Sequence, residues 1–152
     1  MKLSELPDNE KIIITLRDLI MTMGFSYAVI DTKYTVGLYY WHDIPKPTTI
    51  YGAVIEREEG LSDELCIGWV QHLNTQFKRL PSCNYVGGIK IDCSEQELKA
   101  ELDRFIPFSQ QEFRPRSDAH YDVTSFYDKP KDVITEMAEN SHGTVIDFYY
   151  QS

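Results

Sequence analysis

The sequence predicts an α+β domain: a mixed, mostly antiparallel sheet of about six strands packed by about three to four helices. Segments rich in β-branched and aromatic residues alternate in polarity with period two, which is typical of strands. Between them lie segments whose apolar residues recur every three or four positions, as in amphipathic helices. No linker or internal repeat divides the 152 residues, so we expect a single domain over residues 1–152.

The first half of the chain begins with a helix and continues with three strands. We predict the helix over Asp8–Met23, with Asp8 as its N-cap and Gly24 as the residue after its end. The three strands are predicted over Ser26–Asp31, Tyr34–Trp41 and Thr48–Glu56. Their connections are short, which favours an antiparallel meander.

The stretch Ser62–Leu80 carries the clearest helical pattern in the chain. Its apolar stripe consists of Leu65, Cys66, Trp69, Val70, Leu73, Phe77 and Leu80. Ser62 is predicted to cap the helix and Pro81 to end it. Gly68 costs about 1 kcal/mol relative to alanine in a helix interior, and close approach of another backbone would explain its presence. We expect this helix to cover the meander.

The second half alternates strands and helices. We predict a strand over Asn84–Asp92 with a bulge at Gly87-Gly88, and a helix that begins with a capping box of Ser94 and Glu97 and ends at Pro107. The remaining segments are an irregular loop over Pro107–Ala119, a strand over His120–Tyr127, a helix over Pro130–Asn140 stopped near Gly143, and a strand over Thr144–Tyr150. The order is then α-βββ-α-βα-βαβ, and its last part predicts a split βαβ unit.

The net charge of −9 and the pI of about 4.8 restrict the partners of this protein. Binding to nucleic acid or anionic lipid depends on Lys and Arg neutralising phosphate, so we expect neither as a direct partner. No apolar run is as long as a membrane span and no signal-peptide core is present, which predicts a cytoplasmic protein. Cys66, Cys83 and Cys93 lack metal-binding spacing, which predicts reduced thiols and no zinc site.

Two windows of sequence, residues 56–64 and 92–103, hold most of the negative charge. The predicted partner-binding carboxylates in them are Glu56, Glu58, Glu59, Asp63, Glu64, Glu97 and Glu101. Carboxylates at predicted helix starts are partly explained by the helix dipole. Glu97 and Glu101 lie four residues apart on one helix face, where like charges are mildly destabilising, so the dipole does not explain that pair.

Aromatic residues form two clusters, at residues 39–41 and 148–150, in a chain with ten tyrosines. Adjacent strand residues point to opposite faces, so each cluster presents at least one ring away from a one-sided core. Large amphipathic rings are favoured at interfaces, which predicts Tyr39, Trp41 and Tyr149 as contacts to a partner. The alternative is that helices cover both faces of the sheet and bury these rings.

Together these patterns favour a small acidic cytosolic protein-interaction module, an inhibitor that binds a basic surface of a larger, nucleic-acid-binding protein. An anti-defence or immunity-type inhibitor has this size and charge. No catalytic motif, cofactor site or metal site is predicted. One alternative is a small metal-dependent or hydrolytic enzyme in which His42, Asp43, His120 and Asp122 converge, with Asp147 beside them. A second is a homo-oligomeric structural protein that uses a tyrosine-bearing edge strand.

Overall fold

A computed structural model describes residues 2–44, 46–57, 63–75, 78–110 and 126–151. The strands are β1 (Ser26–Asp31), β2 (Thr35–Trp41), β3 (Thr48–Thr49), β4 (Tyr51–Glu56), β5 (Glu64–Thr75), β6 (Lys78–Lys90), β7 (Phe126–Tyr127) and β8 (Thr144–Tyr149). The α-helices are α1 (Ile12–Thr22), α2 (Glu95–Gln110) and α3 (Pro130–Asn140), and two 3₁₀ turns, Leu3–Glu5 and Asp8–Glu10, precede α1. The predicted α+β class with a mostly antiparallel sheet is confirmed.

The main sheet has six strands in the order β6-β5-β4-β2-β1-β8, and every neighbouring pair in this described sheet is antiparallel. The predicted meander of three strands is present as β1-β2-β4, and it continues into β5 and β6. The last strand, β8, returns to the free side of β1. The predicted split βαβ unit is therefore wrong for the described sheet, because β6 and β8 lie at opposite edges and pair antiparallel with their neighbours.

The predicted third strand is broken into two pieces with different partners. Thr48 and Thr49 form β3, which pairs with β7 in a separate two-stranded ladder. Ile50 lies between the ladders, and its carbonyl accepts a hydrogen bond from the amide of Val70 at 2.8 Å. Most of the predicted strand over His120–Tyr127 lies outside the described residues, and only its end is seen as β7.

The predicted helix over Ser62–Leu80 is wrong, because this region forms the hairpin of β5 and β6. The reason is burial on two sides. The part of β5 from Leu65 to Val70 lies between β4 and β6 and presents side chains to both faces of the sheet. A strand covered on both faces reads as a continuous apolar run, and a subset of any such run matches a helical spacing.

Gly68 lies where two backbones approach closely within this hairpin. The register of β5 and β6 shifts between Ile67 and Gly68, so that β6 carries one extra residue there. The predicted bulge is therefore present, one position before Gly87. A Cβ atom at Gly68 would lie 1.8 Å from the carbonyl oxygen of Asn84, so no side chain fits without moving the backbone. The close approach expected at Gly68 is present, although in a strand rather than a helix.

Substitution of Gly68 by alanine is expected to lower the free energy of unfolding by about 2 kcal/mol, because the two strands must separate to admit the methyl group. Gly88→Ala in the same hairpin is the matched control. Its Cβ would meet the side-chain carboxylate of Glu64 at 2.6 Å, and that flexible side chain can move aside. Urea denaturation of both variants measures the difference, and equal losses at the two positions would contradict the close approach.

Helix α1 is shorter than predicted. Asp8 belongs to a 3₁₀ turn and does not cap the helix, which begins at Ile12. Gly24 follows the helix with a φ of 85°, a conformation that glycine adopts without strain, as expected for its position. The buried residues of α1 are Ile12, Ile13, Leu16 and Ile20, and these side chains attach the helix to one face of the sheet.

Helix α2 begins as predicted. The Ser94 hydroxyl accepts a hydrogen bond from the Glu97 amide at 3.1 Å, and the Glu97 carboxylate accepts one from the Ser94 amide at 3.3 Å. Leu98 and Leu102 are buried against the same face of the sheet as α1. The predicted end at Pro107 is wrong, since the helix continues to Gln110. A proline inside a helix removes one hydrogen bond and bends the chain, but it does not always end the helix.

Helix α3 has the predicted bounds and the predicted buried residues, Val133, Ile134, Met137 and Ala138. The left-handed residue after it is His142, with a φ of 52°, rather than Gly143. The helix packs on the face of the sheet opposite α1 and α2, over a second hydrophobic cluster that includes Trp41, Ile50 and Val70. The sheet therefore has helices on both faces, which decides where its aromatic residues lie.

Candidate functional site

The fold brings the two acidic windows together at one end of the sheet. β4 ends at Glu56, β5 begins at Glu64, and β6 ends opposite it, since Glu64 pairs with Lys90. Asp63 accepts a hydrogen bond from the amide of Ile91 through its carbonyl at 3.0 Å, so the turn that leads to α2 lies beside it. We call this surface the acidic end, defined by Glu56, Asp63, Glu64, Asp92, Glu95 and Glu97, all of them exposed.

Electrostatic effects on neighbouring groups show that these carboxylates act on the same space. Lys90 contacts Asp63 at 3.2 Å, and its pKa is raised by that hydrogen bond and by the charges of Asp63, Asp92 and Glu64. The pKa of the Cys66 thiol is raised by burial and then by the charges of Glu56 and Glu64. The acidic end is therefore continuous across three strands.

Arg57 follows Glu56 directly, but it does not neutralise the acidic end. Its guanidinium binds the Glu10 carboxylate with both nitrogens, Nη2 to Oε1 at 2.6 Å and Nε to Oε2 at 2.9 Å. A third nitrogen, Nη1, contacts Oδ1 of Asp31 at 2.7 Å. The hydrogen bond to Glu10 raises the pKa of Arg57 more than any other contact. Arg57 therefore balances the charges of Glu10 and Asp31, and it does not balance the exposed carboxylates of the acidic end.

The predicted binding residues on α2 divide by exposure. Glu97 is exposed, although its carboxylate also caps the helix through Ser94. Glu101 is half-buried, one turn further along. The other two predicted carboxylates, Glu58 and Glu59, lie outside the described residues. The candidate surface is therefore centred on the strand ends and on the first turn of α2.

The structure buries two of the three aromatic residues predicted to contact a partner. Tyr39 is 7% exposed and Trp41 is fully buried, both beneath α3. Adjacent residues of β2 point to opposite faces, with Val36, Leu38 and Tyr40 on the face covered by α1. The rings of Tyr39 and Trp41 face away from that side, but α3 covers them, so the candidate surface does not include them.

Tyr149 is exposed at 37% but lies far from the acidic end. It pairs with Tyr27 at the start of β1, and the two rings stack with centroids 5.9 Å apart. Glu56 pairs with Thr35 at the start of β2, which is the other end of the sheet. Since β8 is also the opposite edge from β6, Tyr149 and the acidic carboxylates occupy opposite corners and do not form one surface.

The residues of the enzyme alternative are not brought together within the described chain. His42 stacks on Phe25 with ring centroids 3.7 Å apart, and burial lowers its pKa while a hydrogen bond with the Gly24 backbone raises it. Asp43 faces Tyr150 and raises the pKa of that phenol. His120 and Asp122 lie outside the described residues.

Asp147 has structural partners of its own. Its Oδ2 accepts a hydrogen bond from the Tyr27 hydroxyl at 2.6 Å and contacts Arg17 of α1 at 3.5 Å. Asp147 pairs with Val29, four residues along β1 from the ring that His42 contacts. At about 3.3 Å per residue, Val29 and Phe25 lie roughly 13 Å apart along the backbone, and the Asp147 carboxylate is engaged by Tyr27 and Arg17. In the described ranges no cluster of three or more His, Cys, Asp or Glu side chains is suited to a metal ion.

The edge strand β8 bears on the oligomer alternative. Its pairing with β1 shifts register at Val29 and Ile30, which places a bulge in β8. Asp147 points toward α1 from the middle of the strand. A bulge and an inward-facing charge are both features that oppose pairing between the edges of two sheets. These features work against a tyrosine-bearing edge as an oligomer contact.

Comparisons with protein-family models, with curated proteins and with solved structures found no match to this chain. In the part of the chain that the structure describes, no helix has the length and apolar character needed to cross a membrane.

Proposed function

We propose that this protein is a small cytoplasmic interaction module whose acidic end binds a basic surface of a larger protein and blocks it. The observation that supports the proposal is the convergence of two acidic windows, distant in sequence, on one end of the sheet. Such a concentration of exposed carboxylates attracts Lys and Arg side chains and raises the rate of encounter with a basic partner.

The geometry suits a partner that normally binds nucleic acid. Carboxylates accept paired hydrogen bonds from arginine in the same way that phosphates do. Glu56 and Glu64 project from paired strands, and Glu97 is held by the Ser94 cap, so their backbones are fixed before binding. A rigid array of acceptors loses little conformational freedom on association. We propose that the acidic end occupies the partner's phosphate-binding surface and thereby inhibits it.

The test compares two triple charge reversals that change the net charge equally. The first, Glu56→Lys with Glu64→Lys and Asp92→Lys, alters the acidic end. The second, Asp18→Lys with Asp128→Lys and Glu139→Lys, alters exposed carboxylates outside it. Binding to an immobilised arginine-rich peptide is measured at low and physiological salt. We expect the first triple to weaken binding at least about tenfold more than the second, because only the first removes the local concentration of charge.

The second arm identifies the partner. Wild type and both triples are used for affinity capture from the native host, followed by mass spectrometry. Basic, nucleic-acid-binding proteins are expected with wild type and with the control triple, and not with the acidic-end triple. Equal loss with both triples would mean that net charge alone governs binding, and it would contradict the proposal.

A further inference from the structure

A cavity of about 300 Å³ lies on the face of the sheet that carries α3, and its lining reaches Thr35, which pairs with Glu56 of the acidic end. Residues from β1, β2, β4, β6 and α3 line it, including Ile30, Tyr39, Val54, Cys83 and Met137. Helix α3 has only 11 residues, so it covers part of a six-stranded sheet, and the cavity opens beside its last turn. Its lining therefore comes from elements that the core holds in place.

The floor of the cavity is the ring of Tyr39, which lies flat on the sheet. Two glycines make this possible. A Cβ at Gly37 would lie 2.9 Å from the Tyr39 hydroxyl oxygen. A Cβ at Gly52 would lie 3.1 Å from Cε1 of the Tyr39 ring and 2.7 Å from the sulfur of Cys83. The absence of side chains at Gly37 and Gly52 lets the ring rest on the backbone with one face, and its other face is turned toward α3.

The described residues that line the cavity include no charged side chain. Burial raises the pKa of the Cys83 thiol to about 12, and burial also raises the pKa of Tyr39 and of Tyr85. These groups are therefore neutral at physiological pH. The polar lining consists of hydroxyl, amide and thiol groups, among them Ser82 and Asn140. A charged ligand would lose its hydration here without an ionic partner in the lining. The charge of Glu56, which also raises the pKa of Tyr85, would repel an anion.

We propose that this cavity binds an uncharged small molecule that has one flat ring and a polar edge. The size fits, since an apolar cavity of about 150 Å³ holds benzene and this one is larger. The face of Tyr39 that lines the cavity favours offset stacking with a ring, and the thioether of Met137 favours contact with its edge. Ser82 and Asn140 supply hydrogen bonds at the polar side. The cavity lies beside Glu56, and none of its lining residues belongs to the acidic end.

The experiment titrates the ¹⁵N-labelled full chain with 4-methylphenol as the neutral probe, and with benzoate and benzylammonium as charged probes of similar size. We expect 4-methylphenol to shift the backbone amides of Tyr39, Cys83 and Met137. We expect it to bind at least about tenfold more tightly than either charged probe, because the cavity has no group to balance a charge.

The matched variants place tryptophan inside and outside the site on the same helix. Asn140 is exposed and lines the cavity, so Asn140→Trp fills its opening. Glu139→Trp, one residue earlier and outside the lining, is the control, and circular dichroism establishes that both variants are folded. Asn140→Trp is expected to weaken 4-methylphenol binding at least about tenfold, and Glu139→Trp to leave it unchanged. Equal affinity in the two variants, benzoate binding as tightly as 4-methylphenol, or shifts confined to other residues would each overturn the proposal.

Discussion

Replacement of Arg57 by alanine is expected to lower the free energy of unfolding by about 3–5 kcal/mol, because it leaves two carboxylates without their cation. The Glu10 side chain is only 6% exposed and that of Asp31 17%, so water cannot replace the guanidinium fully. The same guanidinium donates to the carbonyl of Thr32, and the Arg57 amide donates to the carbonyl of Tyr34 at 2.7 Å. Removing the side chain therefore loosens the N-terminal segment from the β1-β2 hairpin.

Two variants provide the scale for this loss. Lys90→Ala breaks the pair with Asp63, and it should leave the free energy of unfolding nearly unchanged, because the two side chains are 70% and 81% exposed. Arg57→Lys keeps the charge but cannot form the two parallel bonds to Glu10, so its loss should be intermediate. Urea denaturation at pH 7 measures all three. If Arg57→Ala cost no more than Lys90→Ala, the cluster would not hold the N-terminal segment.

Trp41→Ala is expected to lower the free energy of unfolding by about 3–5 kcal/mol through the cavity it leaves in the core beneath α3. The indole is fully buried, and its ring centroid lies 6.2 Å from that of Phe148 on the edge strand. The loss therefore reaches both α3 and β8. Thermal and urea denaturation measure it, and retained binding to the arginine-rich peptide under native conditions would agree with a role in the core.

The control for Trp41 is Tyr149→Ala, which removes a ring that is 37% exposed at the end of β8. Its loss should be well below that of Trp41→Ala, because less apolar area returns to water. A Trp41→Ala variant as stable as Tyr149→Ala would contradict the burial of Trp41, and would return the indole to the set of candidate partner contacts.

Local sequence signals predicted the fold wherever one pattern dominated. Helix α3 combines a first-turn proline with an apolar stripe, and its predicted bounds are those observed. The capping box of Ser94 and Glu97 marks the start of α2 in the same way. Strands β1 and β2 are rich in β-branched and aromatic residues, which are typical of strands, so both could be recognised from the sequence. In each case the deciding interactions lie within a few residues of one another.

The hairpin of β5 and β6 could not be predicted in this way because its pattern is set by distant neighbours. Leu65 and Ile67 face α1 and α2, while Val70 faces α3, so apolar residues occupy both odd and even positions of the strand. The apolar run then fits a helix as well as a strand. The glycine at position 68 was the contrary signal, since its close approach to Asn84 is a property of paired backbones.

The Arg57 cluster, the cavity and the acidic end are formed by contacts between residues distant in sequence, so they could not be predicted from local patterns. The residues that surround Arg57 are Glu10 and Asp31, which come from separate elements. The cavity floor requires Gly52 of β4 to lie opposite Tyr39 of β2, with Gly37 two residues before that tyrosine, which follows from strand order and register. Glycines inside predicted strands were the available sequence signal. The acidic windows were visible as composition, but their convergence at one end of the sheet was not.

The position of β8 has a consequence for how the chain folds. From β1 to β6 the neighbours in the main sheet follow one another along the chain, so each pairing closes a modest loop. The pairing of β1 with β8 joins residues about 120 positions apart, such as Tyr27 and Asp147. Contacts of such long sequence separation slow folding. During synthesis β1 therefore has an unpaired edge until about 120 further residues have been made, and this is the interval in which that edge is most exposed to aggregation.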